Sequence, residues 1–365
     1  MITLFLCGDV MTGRGVDQIL PHPGDPQLHE AFVRNARYYV ALAESVNGCI
    51  QRPVSFDYIW GEALSELDAR APAARIINLE TSVTTSDDAA PKGINYRMHP
   101  RNVPCLTAAG IDCCVLANNH VLDWGSAGLR ETLQVLDNAG LAHAGAGADG
   151  TAAASPARLP IGNGGRLLVF AAATGDSGVP PGWAATPANP GVRRLPDLSE
   201  QTLRALATTV TAQRRRGDIV LFSLHWGGNW GFEVSATARR FARGLIDRAG
   251  VDVVHGHSSH HVKGLEVHRN RLILYGCGDF LNDYEGIGGH DRYRGDLGLM
   301  YFPRLDSASG RLQGLDMVPT RIRRMRIERA HGEDRQWLAR TMVRECARLG
   351  SRVRYGDDGP LTLGP

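Results

Sequence analysis

Short apolar runs alternate with longer stretches of helical periodicity along most of the chain. The short runs have strand character and predict strands at Ile2–Cys7, Arg75–Leu79, Cys113–Ala117, Leu167–Ala171, Ile219–Leu224, Val251–Val254 and Leu272–Tyr275. The longer stretches predict helices at Ser126–Asn138, Ser199–Arg216, Ser235–Ala249 and Glu333–Leu349. Strands separated by helices of this length are typical of βαβ units. The pattern therefore predicts an α/β fold with a largely parallel core.

The size of the chain permits one large domain or two smaller ones. It has 365 residues with 43% hydrophobic content, which is enough for a large buried core. Lysine and arginine number 40 and aspartate and glutamate 38, so the net charge is only +2. Because the charges nearly balance, we expect neither nucleic acid nor a membrane as a partner.

The cysteines and the N-terminus indicate a reducing compartment. The seven cysteines are an odd number and form no CxxC pair, which disfavours a secreted disulfide framework. The N-terminus has no basic start, and Asp9 interrupts its apolar stretch too early for a signal peptide. No apolar window approaches the about 18 residues of a membrane span. We therefore expect a cytoplasmic protein.

Polar residues of the kind that bind metals come directly after predicted strands. They are Asp9, Glu80, Asn118-Asn119-His120, His225 and His255-Gly256-His257. Ligands of α/β proteins bind where the strands end in their carboxyl-side loops. Five strand ends that carry such residues are hard to explain as coincidence.

A divalent ion needs carboxylate, imidazole or carbonyl donors from several segments. An isolated histidine is more often structural than a ligand, but four histidines fall within seven positions from His255 to His261. Taken singly, Asp9 is equally consistent with a turn aspartate, and Asn118-Asn119-His120 with an Asx turn. The combination predicts one or two divalent ions bound by Asp9, Glu80, Asn119, His225, His257 and His260.

One basic run stands apart from these residues. Arg321-Ile322-Arg323-Arg324-Met325-Arg326 is interpreted first as the solvated face of an edge strand, where charges deter aggregation. The alternative is a binding site for an acidic peptide or a phosphate.

The ordered motifs resemble one known family. They are Gly8-Asp9, Asn78-Leu79-Glu80, Asn118-Asn119-His120, His225-Trp226-Gly227, Gly256-His257 with His260, and Gly276–Phe280. This set resembles the CapA (poly-γ-glutamate synthesis) family, a branch of the calcineurin-like metallo-dependent phosphatases. The resemblance implies a four-layer α/β/β/α sandwich in a single domain, residues 1–365, with a core at about 2–303 and a C-terminal extension at 304–365.

The resemblance also implies roles for the site residues. Asp9 and His260 would bind one metal, and Asn119, His225 and His257 the other; the metal itself stays open among Mn, Zn, Fe and Ca. Glu80 stands where phosphatases have a bridging aspartate, and His120 would face the substrate as an acid or anion stabiliser. Two departures put phosphoester hydrolysis in doubt. Met11 replaces the histidine of the phosphatases' Asp-x-His, and His257-Ser258-Ser259-His260 is one residue longer than their His-x-His.

Three functions remain open at this point. The first is a metal-dependent peptidyl epimerase, similar to the enzymes that invert the C-terminal residue of lasso-peptide precursors. Asp9 and His290 would then exchange the Cα proton from opposite faces of a peptide precursor. The second is a metallophosphoesterase. The third is a non-catalytic or synthetic subunit for a poly-γ-glutamate-type polymer.

Overall fold

Strands and helices alternate along the chain in the computed structural model, which describes residues 1–162, 164–356 and 359–363. The strands are β1 Ile2–Val10, β2 Ala74–Leu79, β3 Ser82–Val83, β4 Arg97–Met98, β5 Cys113–Val115, β6 Ala142–Ala144, β7 Ala146–Gly147, β8 Ala157–Ile161, β9 Gly165–Ala173, β10 Gly191–Val192, β11 Ile219–His225, β12 Val253–His257, β13 Leu265–His268, β14 Arg271–Leu274, β15 Asp279–Leu281, β16 Leu297–Leu305, β17 Leu312–Ile322, β18 Ile327–Arg329, β19 Val353–Arg354 and β20 Leu361–Leu363. The helices are α1 Gly15–Ile19, α2 Arg37–Asn47, α3 Ala63–Arg70, α4 Pro104–Ala108, α5 Gly125–Asn138, α6 Gly150–Ala154, α7 Glu200–Gln213, α8 Ala236–Ala249 and α9 Gly332–Arg348.

Two large sheets carry most of these strands. The first has the order β19-β20-β17-β16-β1-β2-β5-β6, with β15 also paired to β1 and β18 to β17. The second has the order β13-β14-β12-β11-β9-β8. Strands β1, β2, β5 and β6 run parallel to one another, as do β9, β11, β12 and β14. These parallel strands are as predicted. The antiparallel strands beside them, on one side of the first sheet and at both edges of the second, were not predicted.

Side-chain alternation shows how the layers stack. In β9 the odd-numbered residues from Leu167 to Ala173 lie in a core shared with the first sheet. The even-numbered residues from Leu168 to Ala172 pack instead with apolar side chains of α7 and α8. Helices α1 to α5 place apolar side chains on the first sheet. Both faces of both sheets are therefore covered, and the four-layer α/β/β/α prediction is confirmed.

The predicted helices match closely, but the ends of several predicted strands were wrong, two of them by three residues. Ser235 caps α8, where its Oγ accepts a hydrogen bond of 3.1 Å from the Ala238 N–H. By contrast, β1 continues to Val10, and β12 covers Val253–His257 in place of Val251–Val254. Asp9 and His257 therefore lie within strands and not after them, and so does His225, the last residue of β11. Parallel pairing with Asn78 and Asp279 continues through Asp9, and so the strand does not end at the first polar side chain.

The C-terminal segment differs from two sequence interpretations. The basic run does not form the face of an edge strand, because Arg323–Arg326 makes the turn of the β17–β18 hairpin, and Arg321 and Arg326 pair with Glu328. The sequence also suggests frayed residues from 357 to 365. Residues 357, 358, 364 and 365 lie outside the described ones, but Leu361–Leu363 pairs with β17 and β19. No helix in the described ranges has both the length and the apolar character needed to cross a bilayer.

One buried carboxylate ties α8 to the second sheet and leads to a prediction about pH. Glu266 accepts hydrogen bonds from Arg239 Nε at 2.8 Å, Arg243 Nε at 2.7 Å and the Tyr275 hydroxyl at 2.9 Å. Burial alone would raise the pKa of Glu266, but these three donors outweigh it and hold the pKa below its ordinary value.

We expect Glu266→Gln to lower the free energy of unfolding by about 1.5–3 kcal/mol at neutral pH, because hydrogen bonds to a charged group are lost. A depressed carboxylate pKa stabilises the fold above the ordinary pKa, and that stability is lost as the pH falls through the folded-state value. The difference between wild type and variant should therefore shrink below pH 4.5, the ordinary value. Urea denaturation across this range measures it, and a difference that grows with acid would contradict the assignment.

Candidate metal centre

Side chains alternate between the two faces of each strand, and in the second sheet this places two histidines on the face that packs against the first sheet. His225 on β11 and His257 on β12 are register partners, and each is the last residue of its strand. They share the face of Leu221 and Val253, which lie in the core between the sheets. Both imidazoles are therefore buried at the carboxyl ends of parallel strands, next to β1 and its Asp9.

A chain of hydrogen bonds fixes the proton positions of these rings. His255 Nε2 lies 2.7 Å from the carbonyl oxygen of Cys7, which can only accept, so this nitrogen carries the proton. His255 Nδ1 then accepts from the hydroxyl of Ser223, 3.3 Å away. The Ser223 oxygen is left to accept from His257 Nε2, at 2.7 Å. His257 Nδ1 therefore presents a free lone pair.

His225 presents a second free lone pair. Its Nε2 donates to Asn119 Oδ1 at 3.0 Å, so its Nδ1 is unprotonated, and this atom faces His257 Nδ1 at 2.8 Å. Burial, reinforced by neighbouring histidines, lowers the pKa of both rings well below the ordinary value and keeps them neutral. Two lone pairs at this distance repel one another unless a cation lies between them.

A carboxylate completes the converging group. Asp9 Oδ1 lies 3.7 Å from His257 Nδ1, and donor atoms of Asp9, His225 and His257 all lie within 4.8 Å of one another. Two neutral imidazoles and a carboxylate form a donor set that suits a divalent transition metal. The residues present therefore fit such an ion.

Glu80 lies beside Asp9, and Asn78 holds both carboxylates. Asn78 Nδ2 donates to Asp9 Oδ1 at 2.7 Å and to Glu80 Oε2 at 3.1 Å. Burial and then Asp279 raise the pKa of Asp9 to about 7, and burial and then Asp9 raise that of Glu80 well above its ordinary value. Adjacent buried carboxylates are costly without a counter-charge, which a divalent cation would supply.

His260 lies next to this group but outside its converging donor atoms. Its Nδ1 contacts Asp279 Oδ1 at 2.9 Å, and Asp279 is the register partner of Asp9. Burial alone would lower the pKa of His260, but Asp279 raises it above the ordinary value. Metal-binding histidines are commonly oriented by a carboxylate that hydrogen-bonds to the imidazole ring, as Asp279 does here.

The two further acid–base candidates occupy different places. His120 is buried, with Nδ1 2.6 Å from Asp123 Oδ2 and Nε2 3.9 Å from Glu80 Oε1, and burial lowers its pKa to about 4. His290 is exposed and stacks on Trp230, with ring centroids 3.9 Å apart, on the wall of a cavity that His260 also lines. Asp9 is fully buried, so the proposed acid–base pair combines a residue of the centre with one of the cavity wall.

Several functional neighbours had weak sequence signals or none. Asn78 and Asp279 stand within the motifs that carry the resemblance, but nothing in their spacing gives them a role. Ser223 is an ordinary strand serine, and only its register opposite His255 reveals its contact with two imidazoles. Ser258 has a φ of 95°, unusual outside glycine, and its N–H donates to Asp9 Oδ2 at 3.2 Å.

Gly8 allows β1 to approach the segment that carries Asp279. A Cβ at Gly8 would lie 1.7 Å from the carbonyl oxygen of Gly278, which accepts the N–H of Asp9 at 2.9 Å. We expect Gly8→Ala to lower the free energy of unfolding by about 1–3 kcal/mol through overpacking, and to weaken metal binding by separating Asp9 from Asp279.

Gly182→Ala is the matched control, because a Cβ there meets no atom within 4 Å. Thermal unfolding and metal titration of both variants measure the effects. Equal behaviour of the two alanine variants would show that the close approach is unimportant.

Helices on both outer faces of two stacked sheets, with histidines and carboxylates at the inner strand ends, define a metallophosphatase-like protein. More narrowly, the chain belongs to the family described as bacterial capsule synthesis protein PGA_cap, whose model matches residues 3–284. It is 48% identical, over its whole length and 96% of the relative, to the probable polyglutamine synthesis accessory protein of Mycobacterium tuberculosis strain H37Rv. It is 26% identical to the PGA biosynthesis protein CapA of Bacillus subtilis, over 98% of this chain and 80% of that one. The capsule biosynthesis protein CapA of Bacillus anthracis is 24% identical over 77% of this chain and 60% of its own.

Proposed function

We propose that the protein is a metal-dependent accessory component in the synthesis of a glutamate- or glutamine-based polymer. The observation that carries this proposal is the 48% identity, across the whole chain, to a relative named as a polyglutamine synthesis accessory protein. Of the three functions that the sequence leaves open, the comparisons favour the polymer-synthesis subunit over the epimerase and the phosphoesterase.

The proposal includes the metal centre. Asp9, Glu80, Asn119, His225, His257 and His260 would hold one or two divalent ions. When bound, such an ion supplies positive charge that polarises a substrate oxygen. Neutral His120, beside Glu80, would orient a polar substrate group, and His290 would contact the part of the substrate that occupies the cavity.

The two enzyme hypotheses have less support. Met11, at the position of the histidine in the phosphatases' Asp-x-His, is buried and supplies no imidazole, which disfavours phosphoester hydrolysis. The epimerase hypothesis would need the exposed His290 to act opposite the buried Asp9. The cytoplasmic location is also part of the proposal, and it is supported by seven free cysteines, six of them buried.

Deletion and complementation in the source organism test the function. Deletion should abolish or sharply reduce a glutamate- or glutamine-based polymer, and the wild-type gene should restore it. His257→Ala should not restore it, whereas the control His268→Ala should, because His268 pairs with Asp247 outside the site. An unchanged amount of polymer on deletion would refute the proposal. Full rescue by His257→Ala would show that the protein acts as a scaffold that does not need the metal.

Two assays separate the enzyme hypotheses from a non-catalytic scaffold, which should give neither product. One is incubation with a peptide in heavy water, and the other is incubation with an aryl phosphate. Deuterium at a Cα of an intact peptide or polymer precursor would identify an epimerase. Release of phosphate from an aryl phosphate would identify a phosphoesterase.

A further inference from the structure

Exposed hydrophobic side chains gather around one cavity next to the candidate metal centre. This cavity has a volume of about 1240 Å³ and is lined by His260, Trp230 and Tyr284, among others. Eight large hydrophobic side chains are exposed within the described residues, and four of them line it: Phe32, Val46, Ile94 and Ile287. Phe32 is 99% exposed. Apolar side chains grouped in this way usually mark a binding surface.

The charges of the same lining almost cancel. Four arginines line the cavity, Arg14, Arg294, Arg321 and Arg323, against the five carboxylates Glu30, Glu285, Asp291, Asp296 and Asp334. The arginines and carboxylates of the lining therefore nearly balance, with one more carboxylate than arginine. A site that attracts a polyanion carries a clear positive excess, and this lining has none.

Three of the four arginines are also paired with carboxylates. Arg14 pairs with Asp283 and, at 2.8 Å, with Glu30. Arg294 pairs with Asp296 at 2.7 Å and with Asp334 at 2.7 Å. Arg321 pairs with Glu328 at 3.0 Å. Among the described contacts, Arg323 is the cavity arginine without a carboxylate partner, and its Nε donates to Asn47 Oδ1 at 3.2 Å.

A carboxylate on the rim of the cavity also disfavours an anionic ligand. Asp291 follows His290 directly and is exposed, and it has no ion pair in the described part of the chain. An acceptor-only group there favours a ligand that donates N–H groups and repels a ligand carboxylate. The neighbouring Trp230 is half-buried and stacks on His290, and the exposed parts of these two rings form a wall for the aliphatic part of a ligand side chain.

We propose that this cavity binds an uncharged peptide chain that carries side-chain amides, as a glutamine polymer does, in preference to a polyanion such as a glutamate polymer. The inference rests on the function proposed above and narrows its substrate class. Methylene groups of the chain would pack on Phe32 and Trp230, and its amide N–H groups would donate to Asp291.

Calorimetric titration of the full chain tests this preference. The probes are capped oligomers of equal length, used at low and high salt. They are α-linked glutamine and α-linked glutamate, and γ-linked glutamate with its α-carboxamide (isoglutamine) counterpart. A glutamine oligomer should bind at least about tenfold more tightly than its glutamate counterpart, with little dependence on salt. Phe32→Ala should weaken this binding, whereas the matched control Tyr38→Ala should not, because Tyr38 is exposed outside the cavity lining.

A charge reversal sharpens the test. Asp291→Lys changes the charge of the lining by two units, and it should raise the affinity for the glutamate oligomer and make that binding salt-dependent. Tighter binding of glutamate by the wild type would overturn the inference and leave the proposed function intact. Failure of all the oligomers to bind would also overturn the inference, and the deletion experiment would then decide the proposed function separately.

Discussion

Replacing His257 with alanine should abolish stoichiometric binding of a divalent ion to the purified protein. His257 Nδ1 is one of two imidazole lone pairs that face each other at 2.8 Å, with Asp9 alongside. Loss of a direct ligand should weaken metal binding by more than about 100-fold, since even residues that only support ligands contribute about 10–100-fold. Elemental analysis after dialysis, and competition with a chelator of known affinity, measure the loss.

The Ser223→Ala variant makes this prediction specific to the proposed proton positions. Ser223 does not join the converging donors, but it accepts from His257 Nε2 at 2.7 Å and thereby leaves Nδ1 free. Its removal should weaken metal binding by about 10–100-fold without abolishing it. His268→Ala, on the other hand, should bind metal like the wild type. If metal content is unchanged in His257→Ala and Ser223→Ala alike, the centre does not lie at this strand end.

The side chains that the structure brings together in the candidate centre could be proposed from the sequence, because they depend on local pattern. Glu80 directly follows β2, and His225 and His257 are the last residues of their strands. The ends of the apolar runs in the sequence therefore lie within a few residues of each of these side chains. The α/β class and the parallel core followed from the same alternation.

The supporting groups could not be predicted, because they depend on pairing between distant segments. Asp279 reaches Asp9 only through the β1–β15 register, and Ser223 meets His255 only because β11 and β12 pair residue by residue. The cavity could not be predicted either, since its lining residues Phe32, Trp230 and Arg323 come from widely separated parts of the chain. His290 could be proposed as a base from its loop, but its stacking on Trp230 depends on tertiary packing.

A buried arginine at the base of this cavity should be essential for stability. Arg14 is 3% exposed, and its guanidinium donates to Asp283 Oδ2 at 3.1 Å, Glu30 Oε1 at 2.8 Å and the Tyr39 hydroxyl at 3.1 Å. It also lies over the Tyr39 ring at 3.9 Å. Its φ of 48° is unusual for a residue with a side chain, and such backbone strain persists only where the surroundings hold the residue in place.

Arg14→Met should lower the free energy of unfolding by about 3–5 kcal/mol, because methionine keeps much of the volume but leaves Asp283 and Glu30 buried without a counter-charge. Arg323→Met is the matched control. This arginine lines the same cavity with one hydrogen bond to Asn47, and its loss should cost less than about 1 kcal/mol. Adding Asp283→Asn to Arg14→Met should recover part of the lost stability, since it removes one of the unpaired charges. Urea denaturation of the three variants measures these differences. Equal losses in Arg14→Met and Arg323→Met would show that the buried ion pairs contribute no more than a surface contact. No recovery in the double variant would show that the unpaired charge of Asp283 is not the source of the lost stability.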